Sequence, residues 1–157
     1  MSTAIVWFRK CLRLQDNPAL LHACSNPSIR SLLPVFILDP STTGQSFENL
    51  GSARLRFLIE CLEDLDHRLK SKYKSELLIA RARPLAVFEN LHQANRTGIG
   101  LISSDYCSES SGRSISEAIL KFFGKHSPST EVKFHPSTHT ICDVEQTISS
   151  PDYDSPK

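Results

Sequence analysis

Glycine is scarce, with six residues in 157. No G-x-x-x-x-G-K-[ST] occurs, which excludes a P-loop kinase or ATPase. The one Gly-x-Gly pair, Gly98 and Gly100, precedes an apolar run instead of following one. A dinucleotide fingerprint needs the reverse order, a strand feeding a glycine turn at a helix N-terminus. No G-x-S-x-G nucleophile elbow is present either. The five cysteines (Cys11, Cys24, Cys61, Cys107, Cys142) are scattered, with no C-x-x-C or C-x-x-x-C pair. That excludes a zinc knuckle and a thioredoxin-type motif, and fits reduced, part-buried thiols of an intracellular protein. Excess charge of one sign is missing too: 18 Lys+Arg stand against 17 Asp+Glu, a formal +1. A dedicated nucleic-acid or anionic-membrane binder would carry a clear basic excess. No window approaches the roughly 20 apolar residues of a membrane span, and the opening apolar run is too short for a signal segment. The chain reads as soluble.

What is present is one domain's length of ordinary globular composition, 39% hydrophobic and 22% charged, which argues against disorder. Residues 4–8 form a continuous apolar run with β-branched and aromatic members, the pattern of a buried strand. Asp16 and Asn17 are cap-type residues and Pro18 suits a first turn, predicting a helix to about Cys24. The second apolar run, 32–38, contains Pro34, so its strand is predicted to begin after the proline. Residues 41–50 read as a polar loop. Leu55, Leu58, Ile59, Leu62, Leu65 and Leu69 then make a single helical stripe. Further strands are expected at 77–80, 99–103 and 131–134. One helix opens at Pro84 and carries Val87, Phe88 and Leu91, and another runs over 111–123, ended by Gly124. After Ile148 no apolar periodicity remains, giving a domain at 1–148 and a linker or tail at 149–157. This alternation predicts an α/β fold, a five-stranded parallel Rossmann-like sheet with helices on both faces. Ligands of such sheets sit beyond the carboxyl ends of the strands. The loops beginning at Arg9, Asp39, Arg81 and Ser103 are therefore where function is expected.

The densest constellation is Arg9-Lys10-Cys11-Leu12-Arg13-Leu14-Gln15-Asp16-Asn17-Pro18. Three cations leave a strand just before a helix N-terminus, a place that favours a phosphate or an anionic cofactor. The same residues also fit a structural role, in which Arg13 pairs with Asp16 and Arg9 and Lys10 are solvated. Asp39 can accept hydrogen bonds from a ligand or cap the turn Asp-Pro-Ser-Thr. Asp105, Ser108 and Glu109 lie in a stretch, 103–116, that is half serine, and either line a pocket or form a plain polar loop. His135, His139 and Cys142 are spaced within reach of one another, but Pro136 disfavours helical ligation there. His135 reads as a surface-loop histidine, and no metal site is expected.

The segment Ile5-Val6-Trp7-Phe8-Arg9-Lys10-Cys11-Leu12-Arg13-Leu14-Gln15-Asp16-Asn17-Pro18-Ala19-Leu20 resembles the opening W-F-R-[KR]-G-L-R-L-H-D-N-P-A-L pattern of the DNA photolyase/cryptochrome family. Pro34-Val35-Phe36-Ile37-Leu38-Asp39-Pro40 resembles that family's second strand and turn. Arg54-Leu55-Arg56-Phe57-Leu58, Arg81-Ala82-Arg83-Pro84 and Thr138-His139-Thr140-Ile141-Cys142-Asp143 are similar to segments of the animal cryptochrome and (6-4) photolyase branch. The segments stand in family order over 4–148. Cys11 and Ala82 occupy positions where glycine is usual, which argues against a positive-φ turn at either.

The resemblance implies the N-terminal α/β antenna domain of a blue-light flavoprotein. Such a domain binds an antenna chromophore (a deazaflavin, a folate or a flavin), and Arg9, Asp39, Arg54 and Glu109 match polar positions around its pocket. No catalytic residue is implied here. FAD would belong to a C-terminal helical domain absent from this sequence, so the chain is expected to be a piece of a longer protein. Partners implied for the parent are that helical domain, damaged DNA or clock proteins, in the nucleus or cytoplasm and with no membrane. Two other readings compete: a stand-alone binding or interaction module derived from this domain, and an unrelated nucleotide-binding enzyme of similar topology.

Overall fold

The computed structural model describes residues 2–39, 51–95 and 98–135. Its elements alternate as β1 (Ser2–Phe8), α1 (Pro18–Ser25), β2 (Ile29–Ile37), α2 (Ser52–Tyr73), β3 (Leu78–Ala80), α3 (Pro84–Ala94), β4 (Ile99–Asp105), α4 (Ser110–His126) and β5 (Glu131–His135). All strand pairs are parallel, in the order β3-β2-β1-β4-β5. This is the α/β sheet expected from the alternation of strand-length and helix-period runs.

The two-residue period of β1 divides its side chains between two cores. Ala4, Val6 and Phe8 face Ala23 of α1 and Leu62, Leu65 and Leu69 of α2. Ile5 and Trp7 face Val87 and Phe88 of α3 and Ile119 and Phe123 of α4. On that second side Phe88 meets both Trp7 and Phe123 edge to face, at centroid distances of 5.3 and 6.4 Å. Such pairs add about 0.5–1.5 kcal/mol beyond the area they bury. The helical stripe of α2 is buried only in its second half, and Ile59 is 47% exposed.

Local chemistry sets the ends of these elements. Asn17 caps α1: its side chain accepts from the Leu20 N–H at 3.1 Å and donates to the Arg13 carbonyl at 2.9 Å, with Pro18 at the first helical position. Two expectations need correction. β2 begins at Ile29, and Pro34 lies inside it opposite Val6. β3 pairs with β2 only from Val35 onward, so at Pro34 the strand is still an edge on that side and the missing donor is tolerated there. α4 runs through Gly124 to His126 and closes where the Ser127 N–H reaches the Phe123 carbonyl at 2.8 Å. Burial of Phe123 and stacking of His126 on Phe122 hold this last turn against the glycine. The strand expected to end at Ser103 continues to Asp105. The loop at 41–50, the segment 138–143 with His139 and Cys142, and the tail at 149–157 lie outside the described residues.

The order of the strands reverses at β1, whose neighbours β2 and β4 lead in opposite directions. In open parallel sheets that reversal opens a crevice at the carboxyl ends of the strands. Here it lies between the ends of β1 and β4.

Candidate functional site

Two polar constellations occupy the carboxyl edge of the sheet, one on each side of the first turns of α4. The first is built on the segment leaving β1. Arg9 turns inward: its guanidinium lies 4.4 Å from the Trp7 ring centre, and its nitrogens donate to Ser116 Oγ at 3.2 Å and to the Gly112 carbonyl at 3.4 Å. Burial lowers its pKa against the opposing attraction of Cys107, Asp105 and Glu109. The Lys10 backbone N–H donates to Asp105 Oδ2 at 3.3 Å, and Lys10 Nζ pairs with Glu109 Oε1 at 2.5 Å. That hydrogen bond and charge hold the Glu109 carboxyl below its ordinary range, with Arg9 and Arg54 adding smaller attractions. Burial alone would lower Lys10, but Glu109 and Cys107 outweigh it and its pKa ends raised.

Arg9 is part-buried and bonded within the chain, contrary to the structural reading of the sequence, whereas Lys10 stays exposed in its ion pair with Glu109 and Arg13 does pair with Asp16 at 3.3 Å. Gly112 makes the close packing possible. A Cβ there would overlap Cys107 Sγ and stand 2.6 Å from Cys107 Cβ and 3.1 Å from an Arg9 nitrogen. Cys11 and Ala82 are not among the residues with positive φ, so side chains stand at both positions without backbone strain.

The second constellation is an open cavity of about 700 Å³ beyond the ends of β2 and β3. Asp39, buried two residues past the end of β2, lies on its wall with Arg81 and Arg83, while Leu38, Pro84, Leu85 and Ile115 supply apolar surface. Both arginines are exposed, and Arg83 is the N-cap of α3 with Pro84 at the first helical position. The helix therefore presents unpaired first-turn N–H groups beside two cations, a setting favourable to negative charge.

The four residues named from the sequence are thus divided. Arg9 and Glu109 stand in one charged cluster, Arg54 is exposed at the start of α2 and acts on Glu109 through its charge, and Asp39 belongs to the cavity. Ser114, Ile115 and Ala118 of α4 also line the cavity, and none of them is among the site residues named from the sequence. His135 is the last residue of β5, half-buried and hydrogen-bonded to Ser103, and not a loop histidine. Among the described residues no cluster of His, Cys, Asp and Glu is suited to a metal ion, and no helix is long and apolar enough to cross a membrane. The four cysteines among them are free.

The family profile described as DNA photolyase matches residues 4–157. This chain belongs to the DNA photolyase family. Its photolyase-family relatives include cryptochrome-1 of Spalax judaei, 39% identical over 145 residues, which are 92% of this chain and 23% of that protein. Cryptochrome-1 of Gallus gallus is 38% identical over 145 residues, 92% of this chain and 22% of that protein. The chain therefore spans about a quarter of the length of the curated relatives it matches, and corresponds to the N-terminal α/β domain of the photolyase/cryptochrome fold. The archaeal photolyase of Sulfolobus tokodaii superposes with a TM-score of 0.69 at 25% identity, covering 85% of this chain and 29% of that one. That structure holds two FAD molecules and is described as implying a novel light-harvesting cofactor. The Synechocystis cryptochrome shares the fold with a TM-score of 0.71 at 22% identity, covering 86% of this chain and 27% of that one.

Proposed function

We propose that this photolyase-family chain is the antenna-type domain of a blue-light flavoprotein, and that its cavity beside Asp39 takes a flat heteroaromatic chromophore: a deazaflavin, a folate or a flavin. The observation that carries this reading is a single cavity combining a buried carboxylate, two exposed arginines and apolar walls. Its volume lies within the roughly 300–1,000 Å³ range of small-molecule sites. Asp39 is suited to accept hydrogen bonds from ring N–H or amino groups. Arg81 and Arg83 are suited to an anionic tail, and the apolar wall of Leu38, Pro84, Leu85 and Ile115 is suited to exclude water from a ring face. When bound, the chromophore would supply near-ultraviolet or blue absorption. Excitation leaves an antenna through space, so the role asks this chain for position and dryness and for no acid, base or nucleophile.

The parent reaction, light-driven DNA repair or photoreceptor and circadian signalling, belongs to this reading as well. So do FAD in a helical domain, DNA or clock proteins as partners, and a nuclear or cytoplasmic setting. Asp39 lies on the cavity wall, whereas Arg9 and Glu109 do not line it, and this position favours Asp39 over them as the ligand-facing group.

Absorption spectra of the purified chain with each of the three chromophore classes test the reading. A band that co-elutes with folded protein is expected, and Asp39→Asn is expected to weaken uptake about tenfold, the loss of one charged hydrogen bond. A folded, colourless chain that takes up none of them would overturn the reading in favour of an eroded fragment or a non-catalytic interaction module.

A further inference from the structure

His22 of α1 and His135 at the end of β5 meet edge to face, with ring centroids 5.2 Å apart at 68°. Between them and the sheet sits Ser103 of β4. Its one hydroxyl proton goes to the Ala19 carbonyl at 2.9 Å, so toward His135 Nε2, 3.0 Å away, the same oxygen is the acceptor. His135 Nε2 therefore carries a hydrogen. His22 Nε2 lies 3.6 Å from Glu131 Oε1, and His22 Nδ1 is buried with no hydrogen-bond partner. A neutral His22 leaves only a lone pair unmet there. A protonated one would leave a cationic N–H unmet against a second imidazole.

The pair also connects to one loop of the charged cluster directly, and through Ser103 to the start of α1. The His135 carbonyl accepts the Tyr106 N–H at 3.0 Å, in the segment that leads to Cys107 and Glu109. Ala19, held by Ser103, lies in the first turn of α1, the helix that follows the segment carrying Lys10.

We propose that His22 and His135 form a proton-operated latch that holds α1 and β5 together and, through Ser103 and Tyr106, steadies the loops carrying Lys10 and Glu109. Among the described residues, the charged groups that act on His135 include His22 from α1 and Lys133 and Glu131 from β5, while Ser103 of β4 is neutral. Burial, then His22 and Lys133, hold His135 below the ordinary histidine range, and Glu131 opposes them. The folded chain thus binds fewer protons than the unfolded chain in this window. The latch is fully closed above the ordinary histidine value and weakens as pH falls below it. This inference does not depend on what occupies the cavity.

An NMR titration of the nitrogen-labelled chain from about pH 8 to about pH 5 decides it. His135 is expected to titrate below the ordinary histidine midpoint, with the Tyr106 and Glu109 amides shifting at that same midpoint. Protection of the Tyr106 amide from hydrogen exchange is expected to fall about tenfold for each unit by which His135 is depressed. In His22→Gln the His135 midpoint rises and the Tyr106 transition moves with it. Three results would each overturn the latch: an ordinary midpoint for His135, Tyr106 and Glu109 amides silent through that midpoint, or an unmoved midpoint in His22→Gln. Should that variant fail to fold, the titration of the unaltered chain decides alone.

Discussion

Arg9 shows what a sequence reveals of a single residue and what it does not. Its place at the end of a buried strand marks it as a site residue, because strand ends in a parallel sheet face the crevice. Whether it contacts a ligand, water or its own chain depends on Gly112 and Ser116, more than a hundred positions away, and no local pattern encodes that distance. Gly112 is legible in retrospect. Position 112 admits no side chain because Cys107 Sγ and an Arg9 nitrogen occupy its space. Gly112→Ala is expected to destabilise the fold by about 1–3 kcal/mol, the usual cost of overpacking, despite alanine's better helix propensity. Denaturant unfolding followed by the fluorescence of the single tryptophan, Trp7, measures it directly. An unchanged or raised midpoint would mean that Cys107 moves aside freely.

The opposite sign is expected twelve residues further along α4. Gly124 lies within the helix, is exposed, and has nothing within 4 Å of an added Cβ. Nor does it have a positive φ that would strain a side chain. Gly124→Ala is therefore expected to stabilise by about 0.4–1 kcal/mol, mainly by narrowing the unfolded ensemble. A rise in Tm beside the fall from Gly112→Ala would show that space, not propensity, separates two glycines of one helix. The glycine signal that normally ends a helix misplaces this boundary because tertiary packing of Phe123 and the ring contact of Phe122 with His126 act on the last turn. Pro34 misplaces the start of β2 for a related reason. Whether a proline is tolerated depends on the neighbouring strand, and the extent of β3 is not written at Pro34. Helix periods and strand-length runs were legible because they are local; element ends and Asp39's cavity partners depend on pairings made across the fold.

For the whole molecule, the alternation of elements announces the architecture, while the strand order assigns the edges. β3 is an edge strand of three residues, and Leu78 and Ile79 on it are 39% and 46% exposed. A short strand limits the unpaired backbone offered to another chain, but the apolar side chains restore part of that hazard. Self-association of the isolated chain through this edge is therefore expected at high concentration. Ile79→Lys places a charge on the edge without touching either core, since Ile79 belongs to neither. Its effect on stability is expected to stay within about 0.5 kcal/mol. Its effect on association should be large, because a lysine must be desolvated for two edges to pair. Sedimentation velocity over a concentration series separates the two quantities. A variant that remains monomeric where the unaltered chain associates would locate the contact on β3. Equal association of both would move it to another exposed apolar residue, with Phe57 of α2, 67% exposed, the first to replace.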